Sequence, residues 1–514
     1  MMLFNRTNID AYFMEYDTER AGGFEPLRLV PKGKKVVLGL VTSKTGKLES
    51  KDEIKRRVEA ATKYIDLDQL CLSPQCGFCQ HRGRQSAFRR RTVGQAWLRG
   101  RSCQGNLGTR LTRVRGIKPM QANTDRIQTT HVGSLVRPPE LVEFMRKRLE
   151  REAVDDAAYE RYLTSAFADA VGRQAAAGLM VVNDGEYPKS SWYRYITERL
   201  DGLEYRAVPS ERPKPTPSAG LDFERFRDFY AEYQSGQQAN AGGGYWVVTG
   251  PIKYRGHAQV QRDIANLKKA LHKHPQVKGF LPVVAPASVL QGLRDEFYGT
   301  EEKLSSALGE ALRAEYKAIT DAGLIVQIDD AWLAAKYDVM VPPAKFSDYY
   351  AWAEQKVEAL NRALDGIPEE QSRYHVCWGS WNGPHSNDVA AEDIIDLILR
   401  VKVGGYSLEM ANPRHEHEWQ IWQETKLPPD RVLLPGVIAH TTNVVEHPKL
   451  VAERLVRLAK LVGRERVIGS TDCGFAQGVF YRRVHPSIMW AKLEALAEGA
   501  KLATAELWGR AAAA

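Results

Sequence analysis

From residue 120 onward the hydrophobic pattern alternates between two kinds of segment. Short runs rich in Val, Ile and Leu end in polar or glycine residues, and longer stretches with apolar spacing near 3.6 lie between them. The short runs are 127–134 (IQTTHVGS), 179–186 (LMVVNDGE), 279–288 (GFLPVVAPAS), 324–330 (LIVQIDD), 374–379 (YHVCWG), 405–410 (GYSLEM), 432–440 (VLLPGVIAH) and 467–475 (VIGSTDCGF). Residues 301–323 and 447–463 are the clearest of the helical stretches. Eight strands interleaved with helices predict an α/β fold, a (β/α)8 TIM barrel spanning residues 120–514. Residues 203–280 interrupt the alternation and read as an insertion, a Pro-rich loop followed by a hairpin in 245–256 (YWVVTGPIKYRG).

The first 119 residues follow a different logic. Residues 82–118 carry ten arginines and one lysine, and no acidic residue stands between Asp68 and Asp125. This stretch has neither period and is rich in Gly, Ser and Gln, so 81–119 reads as a disordered basic linker. It also resembles out-of-frame sequence joining two reading frames, with Met120 a natural start for the second. Residues 39–78 align without a gap on 436–475, with nine identities that include Gly39 with Gly436, Glu49 with Glu446, and Cys76-Gly77-Phe78 with Cys473-Gly474-Phe475. Glu15 falls opposite Glu409. Residues 1–80 therefore read as a partial barrel fragment, the end of a homologous domain severed from its beginning. Ser43 stands where the second copy has His440, and no His-x-Cys precedes it, so the fragment is expected to be catalytically incomplete. Cys71, Cys76, Cys79 and His81 cluster in sequence, but no second half with ligand spacing follows, and the group reads as a remnant.

The formal charge of +9 suggests nucleic acid until its distribution is considered. Removing the eleven basic residues of 82–118 turns +9 into −2, so the barrel is not basic and no specific nucleic-acid partner is expected. No apolar run approaches the roughly 18 residues of a membrane helix. Six cysteines in 514 residues are too few for a disulfide framework, which points to a reducing cytoplasm.

Candidate chemistry comes from what ends each strand, because barrel active sites gather at the C-terminal ends of strands. One run ends His375-Val-Cys377, the next carries Glu409, the next His440 and the last Cys473. Positions i and i+2 of a strand face the same side, so His375 and Cys377 can reach one metal. His375, Cys377, Glu409 and Cys473 form a plausible tetrahedral zinc set. Taken singly, each of these residues reads as ordinary packing, and their joint placement at strand ends carries the metal reading.

The succession TTHVGS, NDGE, IDD, HxC, a strand-end Glu, PGVxxH and DCGF resembles the C-terminal barrel of cobalamin-independent methionine synthase. The resemblance implies Zn2+ held by His375, Cys377, Glu409 and Cys473. It implies a homocysteine-like thiol at the Val132–Ser134 turn, with Glu186 and Asp329 taking its ammonium group. It further implies that His440 is the catalytic proton carrier, and that a folate-like compound donates the methyl group. A thiol is mostly protonated at neutral pH, and the thiolate is the nucleophile, so a metal that deprotonates it is mechanistically apt. A tertiary-amine donor has a poor leaving group and needs a general acid. Two rivals remain. One is a zinc thiol transferase of the same barrel acting on an epoxide, like a coenzyme M transferase. The other is a mis-joined product whose arginine-rich segment binds polyanions in a salt-dependent way.

Overall fold

The computed structural model describes residues 11–16, 22–41, 51–74, 125–150, 152–207, 220–237, 244–480 and 483–509. The chain divides into two compact units, Met1–Gly116 and Ile117–Ala514.

In the first unit, strands β1 (Ala11–Glu15), β2 (Lys35–Val41) and β3 (Leu70–Pro74) form a parallel sheet in that order. A helix over Lys51–Ala61 connects β2 to β3. Val36, Leu38 and Leu40, alternate positions of β2, pack with Tyr12, Ile54 and Ala61 in a small core. The β2–β3 ladder pairs Gly39 with Ser73, then slips so that Val41 pairs with Pro74. Ser43, Cys76, Cys79, His81 and the arginine-rich linker lie outside the described residues.

The second unit contains, in chain order, β4 (Gln128–Thr129), β5 (Val181–Val182), β6 (Leu200–Ala207), β7 (Gly244–Tyr254), β8 (Lys278–Val284), β9 (Leu293–Asp295), β10 (Ile325–Asp329), β11 (Ser372–Val376), β12 (Gly405–Leu408), β13 (Val432–Ile438) and β14 (Ile468–Thr471). Eight of these form a parallel sheet in the order β4-β14-β13-β12-β11-β10-β8-β5. The remaining seam, β4 to β5, is joined by Met180 N–H donating to Thr129 O (3.0 Å) and by Thr130 Oγ1 donating to Val181 O (2.9 Å). The architecture is therefore the expected TIM barrel, and each barrel strand overlaps one of the eight short runs read from the sequence, with β8 starting one residue and β11 two residues before its run.

Parallel strands with helices outside and a packed interior are buried on both faces, and their sequences follow. All seven positions of β13 (VLLPGVI) are buried, as are six of seven in β8. The helix Glu301–Asp321 shows the complementary pattern. Thr300 caps its start by accepting from Lys303 N–H (3.3 Å), with Glu301 and Glu302 in the first turn where the helix dipole favours acids. Leu304, Leu308, Leu312, Tyr316 and Ile319 recur every three to four residues and face the sheet. Truncating a fully buried leucine such as Leu308 costs about 2–5 kcal/mol.

The insertion departs from expectation. Residues 244–254 do not fold back on themselves as a hairpin. They make one long strand, β7, that pairs antiparallel with β6 and parallel with β9. The Gly250-Pro251 pair that suggested a turn is accommodated across the ladder instead. The β6–β7 register shifts between Asp201 and Leu203, and Gly202 (φ +84) lies so close to the carbonyls of Gly250 and Pro251 that no side chain fits. The helix His257–Leu271, within the expected insertion, leads directly into β8 and belongs to the barrel alternation. Among the described residues, no helix is long and apolar enough to cross a membrane.

Candidate active site

The C-terminal ends of β10 to β14, together with the turn after β4, converge on one buried cluster. His375 is the fourth residue of β11, and Cys377 follows the strand by one position. Both are buried, as the same-face spacing requires, while Val376 between them joins the hydrophobic core. Glu409 follows β12 directly, His440 lies two residues past β13, and Cys473 lies two past β14. Potential ligand atoms of His375, Cys377 and Cys473 fall within 4.8 Å of one another, and so do those of Glu409, His440 and Cys473. Cys473 is common to both triads. The four residues expected as ligands do not form a single group at that spacing, because His440 stands with Glu409 while His375 and Cys377 stand together.

The hydrogen bonding of these side chains leaves specific atoms without partners. His375 Nδ1 pairs with Ser407 Oγ (3.1 Å), which orients the ring, and its Nε2 has no partner. Glu409 Oε2 accepts from Asn412 Nδ2 (3.0 Å), while Oε1 has no partner. Both ring nitrogens of His440, a residue only 1% exposed, are without partners. Buried polar atoms are almost always satisfied, so three adjacent side chains with unpartnered atoms mark a place built for something else. The Cys377 and Cys473 sulfurs lie 3.9 Å apart. The Cys473 thiol is pulled well below its ordinary pKa, first by Cys377 and then by His375, while Cys377 is pushed up by Cys473 and by burial. Burial raises Glu409, with the Asp472 and Cys473 charges adding to the effect. Burial lowers His440 to about 4, leaving it neutral at pH 7. Two cysteine sulfurs, imidazole nitrogens and a carboxyl group gathered in one dry cluster are a zinc-type donor set.

The proposed thiol pocket adjoins this cluster. Val132 packs with Cys377 and Cys473, and its N–H donates to Thr471 Oγ1 (3.2 Å). Ser134 joins the same turn to the loop after β14, accepting from Phe475 N–H at its carbonyl (2.8 Å) and from Ala476 N–H at Oγ (3.2 Å). Asp329, the last residue of β10, is paired in register with His375 on β11. Burial pushes its carboxyl up to about 8, His375 opposes that shift, and Glu186 reinforces it. Glu186 is held in a left-handed conformation (φ 57), its N–H donating to Asp184 Oδ1 (3.0 Å).

Sequence reasoning missed several residues here. Lys189 Nζ lies 3.3 Å from Glu186 Oε2 and donates to Pro282 O (2.6 Å), so one of the two expected ammonium-binding carboxylates already has a buried cationic partner. The spacing Glu-x-x-Lys was the available signal. Asp472 accepts from the N–H groups of Met410 (2.8 Å) and Ala411 (2.9 Å), which fixes the chain just past Glu409. Arg137 donates to the carbonyls of Glu186 (2.8 Å) and Lys189 (2.9 Å) and tethers that loop. A fourth group, His385, Asp388, His415 and Glu418, links the loops that follow β11 and β12.

Residues 3–93 and 247–485 match the family model described as the catalytic domain of cobalamin-independent synthase. The uncharacterized protein YxjG of Bacillus subtilis (strain 168) is 60% identical over 77 residues, 15% of this chain and 20% of that protein, so the chain spans about a fifth of that relative's length. The 2-hydroxypropyl-CoM lyase of Xanthobacter autotrophicus is 25% identical over 414 residues, covering 74% of this chain and 96% of the lyase. Among solved structures, the B12-independent methionine synthase from Shewanella sp. W3-18-1, in complex with selenomethionine, superposes with a TM-score of 0.56. It is 19% identical, covering 75% of this chain and 99% of that one, a likeness of fold.

Proposed function

The chain belongs to the family of the cobalamin-independent synthase catalytic domain, and from that premise we propose that it is a zinc-dependent S-methyltransferase. Its acceptor is homocysteine or a similar amino-acid thiol, and its donor is a methyltetrahydrofolate-like amine. The observation that carries this reading is the convergence of His375, Cys377, Glu409 and Cys473 on one buried cluster with unpartnered atoms on His375 and Glu409. These four residues would hold Zn2+. When bound, the metal supplies Lewis acidity that keeps a substrate thiol deprotonated at neutral pH.

The chain's own residues account for orientation and proton handling. The Val132–Ser134 turn lines the acceptor's approach to the two cysteines. Asp329, whose buried carboxyl would ionise as the positive charge arrives beside it, takes the ammonium group, and Glu186, already paired with Lys189, contributes the weaker half of that interaction. Holding the acceptor in line with the donor is worth several powers of ten in rate when the geometry is right. His440, neutral and without protein partners, is free to bind a proton and deliver it to the donor's departing nitrogen.

A second reading is favoured by the near full-length match to the lyase: the same thiolate device with an epoxide electrophile and a sulfonate thiol. The acidic pair Glu186 and Asp329 favours an acceptor that bears an ammonium group, and so the first. Comparing thermal protection by homocysteine with that by a sulfonate thiol separates the two readings.

The experiment that tests the metal is zinc stoichiometry on wild type and Cys473→Ser, with homocysteine titrated into each. About one zinc per chain is expected, lost in the variant, with a proton released on thiol binding to the wild type. Zinc content unaffected by the substitution would remove the metal reading.

A further inference from the structure

Below the proposed thiol pocket, the barrel interior holds a cation that the chemistry above does not use. Arg373 lies on β11 two residues before His375 and is 1% exposed. Its guanidinium is spent on neutral acceptors. Nε donates to Gln327 Oε1 (2.7 Å), Nη1 to Thr130 Oγ1 (3.1 Å) and Nη2 to His131 O (3.0 Å), and the group sits 3.8 Å from the centre of the Phe280 ring. Burying a guanidinium without a paired carboxylate is costly, and an apolar side chain would fill a barrel layer at lower cost. The placement of its donors explains what it does there.

Gln327 lies on β10 two residues before Asp329, so both side chains point to the barrel interior. A carboxamide can be turned either way, and Arg373 fixes which. With Oε1 accepting the Arg373 Nε proton, Nε2 must face the opposite side. There it donates to Asp329 Oδ1 (2.7 Å) and to the Val132 carbonyl. The reversed amide would set an oxygen against the carboxylate and another against that carbonyl. Arg373 also holds the chain just before Val132 through Thr130 and His131. One guanidinium thus braces both walls of the pocket, the Asp329 carboxylate through Gln327 and the Val132–Ser134 turn directly.

We infer that Gln327 and Arg373 are positioning residues that set the aim of Asp329 and thereby the enzyme's recognition of the ammonium group of its thiol substrate. The inference rests on the reading of Asp329 as the ammonium site. A carboxylate free to rotate would keep its charge but lose the direction that distinguishes an α-amino thiol from the same thiol without the amine.

The test is calorimetric binding to the full-length, zinc-loaded chain, with homocysteine and with its analogue lacking the amino group, 4-sulfanylbutanoate. In Gln327→Met, close in volume but unable to orient the carboxylate, the preference for homocysteine falls about 10- to 100-fold, the range for a hydrogen bond to a charged group. Affinity for the deaminated analogue falls much less, by what the lost contact to the Val132 carbonyl costs, whereas a merely structural defect would weaken both ligands equally. Arg373→Lys, which keeps the charge without the fork, loses part of the same preference. Asp329→Asn is the reference variant. Should it retain the full preference for homocysteine, the ammonium reading fails and takes this inference with it. Should Asp329→Asn abolish the preference while Gln327→Met keeps it, the positioning role alone is overturned. Equal weakening of both ligands in Gln327→Met also overturns it.

Discussion

Cys473 belongs to both donor triads, and its partners divide by role. His375 and Cys377 come from one strand end and share a face by strand period alone, so the His-x-Cys spacing already announced them. His440 is different. It stands within 4.8 Å of the donors of Glu409 and Cys473, near enough to serve as a ligand, yet neither ring nitrogen is oriented by a protein partner. Metal-binding histidines nearly always have their second nitrogen fixed by a hydrogen bond, as His375 has through Ser407. On the proposed reading, that contrast favours His375 as the metal ligand and His440 as the proton carrier. In His440→Asn, zinc content and homocysteine affinity should therefore match wild type, while turnover falls about 10²- to 10⁴-fold, the range for loss of a general acid. Loss of zinc in this variant, measured by elemental analysis, would make His440 a ligand and return the proton to another group.

At the scale of elements, the barrel strands were readable because a strand buried on both faces leaves a compact apolar run that little else explains. The supports of the site were less so. Gln327 and Arg373 look like interruptions in apolar strands until the fold sets them beside each other. Asp388 and His415 are 27 positions apart and meet only because β11 and β12 are neighbours. The hairpin expected in 245–256 failed because Gly-Pro punctuation does not reveal whether the chain turns or whether its neighbour yields, and here Gly202 yields. The His415 group supports a prediction of its own. His415 Nε2 meets Asp388 Oδ2 (3.0 Å), its Nδ1 meets Glu418 Oε2 (2.9 Å), and Trp378 stacks on the ring at 4.3 Å. Burial alone would lower its pKa, but the two carboxylates prevail and raise it to about 9. A folded value above the ordinary 6.5 means the stabilisation is complete below pH 6.5 and fades as pH climbs through about 9. Urea titrations of wild type and His415→Gln should show a stability gap that is full just below pH 6.5, narrows as pH rises and closes above about pH 9. A gap constant over that range would mean the imidazole is neutral in the fold.

At the scale of the whole molecule, the notable fact is a repeated register. In the first unit Gly39 pairs with Ser73 and Val41 with Pro74; in the barrel Gly436 pairs with Ser470 and Ile438 with Thr471. Each position is offset by the same 397 residues as the gapless sequence alignment, slip included, and the order β1-β2-β3 repeats β12-β13-β14. The slip begins at Gly436, where any side chain would strike Asp472, the residue that leads into Cys473. A three-stranded parallel sheet has no means of closing a barrel, whereas the eight-stranded sheet draws all its strands from the second unit. The family model likewise matches the chain in two separate stretches, 3–93 and 247–485, the first of which runs into the arginine-rich segment. We therefore expect removal of residues 1–119 to leave zinc stoichiometry, homocysteine affinity and the barrel's thermal midpoint unchanged. The truncated chain should instead lose any salt-dependent retention on a polyanion such as heparin, because the eleven basic residues of 82–118 leave with it. Calorimetry and elemental analysis on the two forms decide the matter. A lower midpoint or lost zinc in the shorter chain would show that the first unit contributes to the barrel, and the view of it as a severed copy would have to be given up.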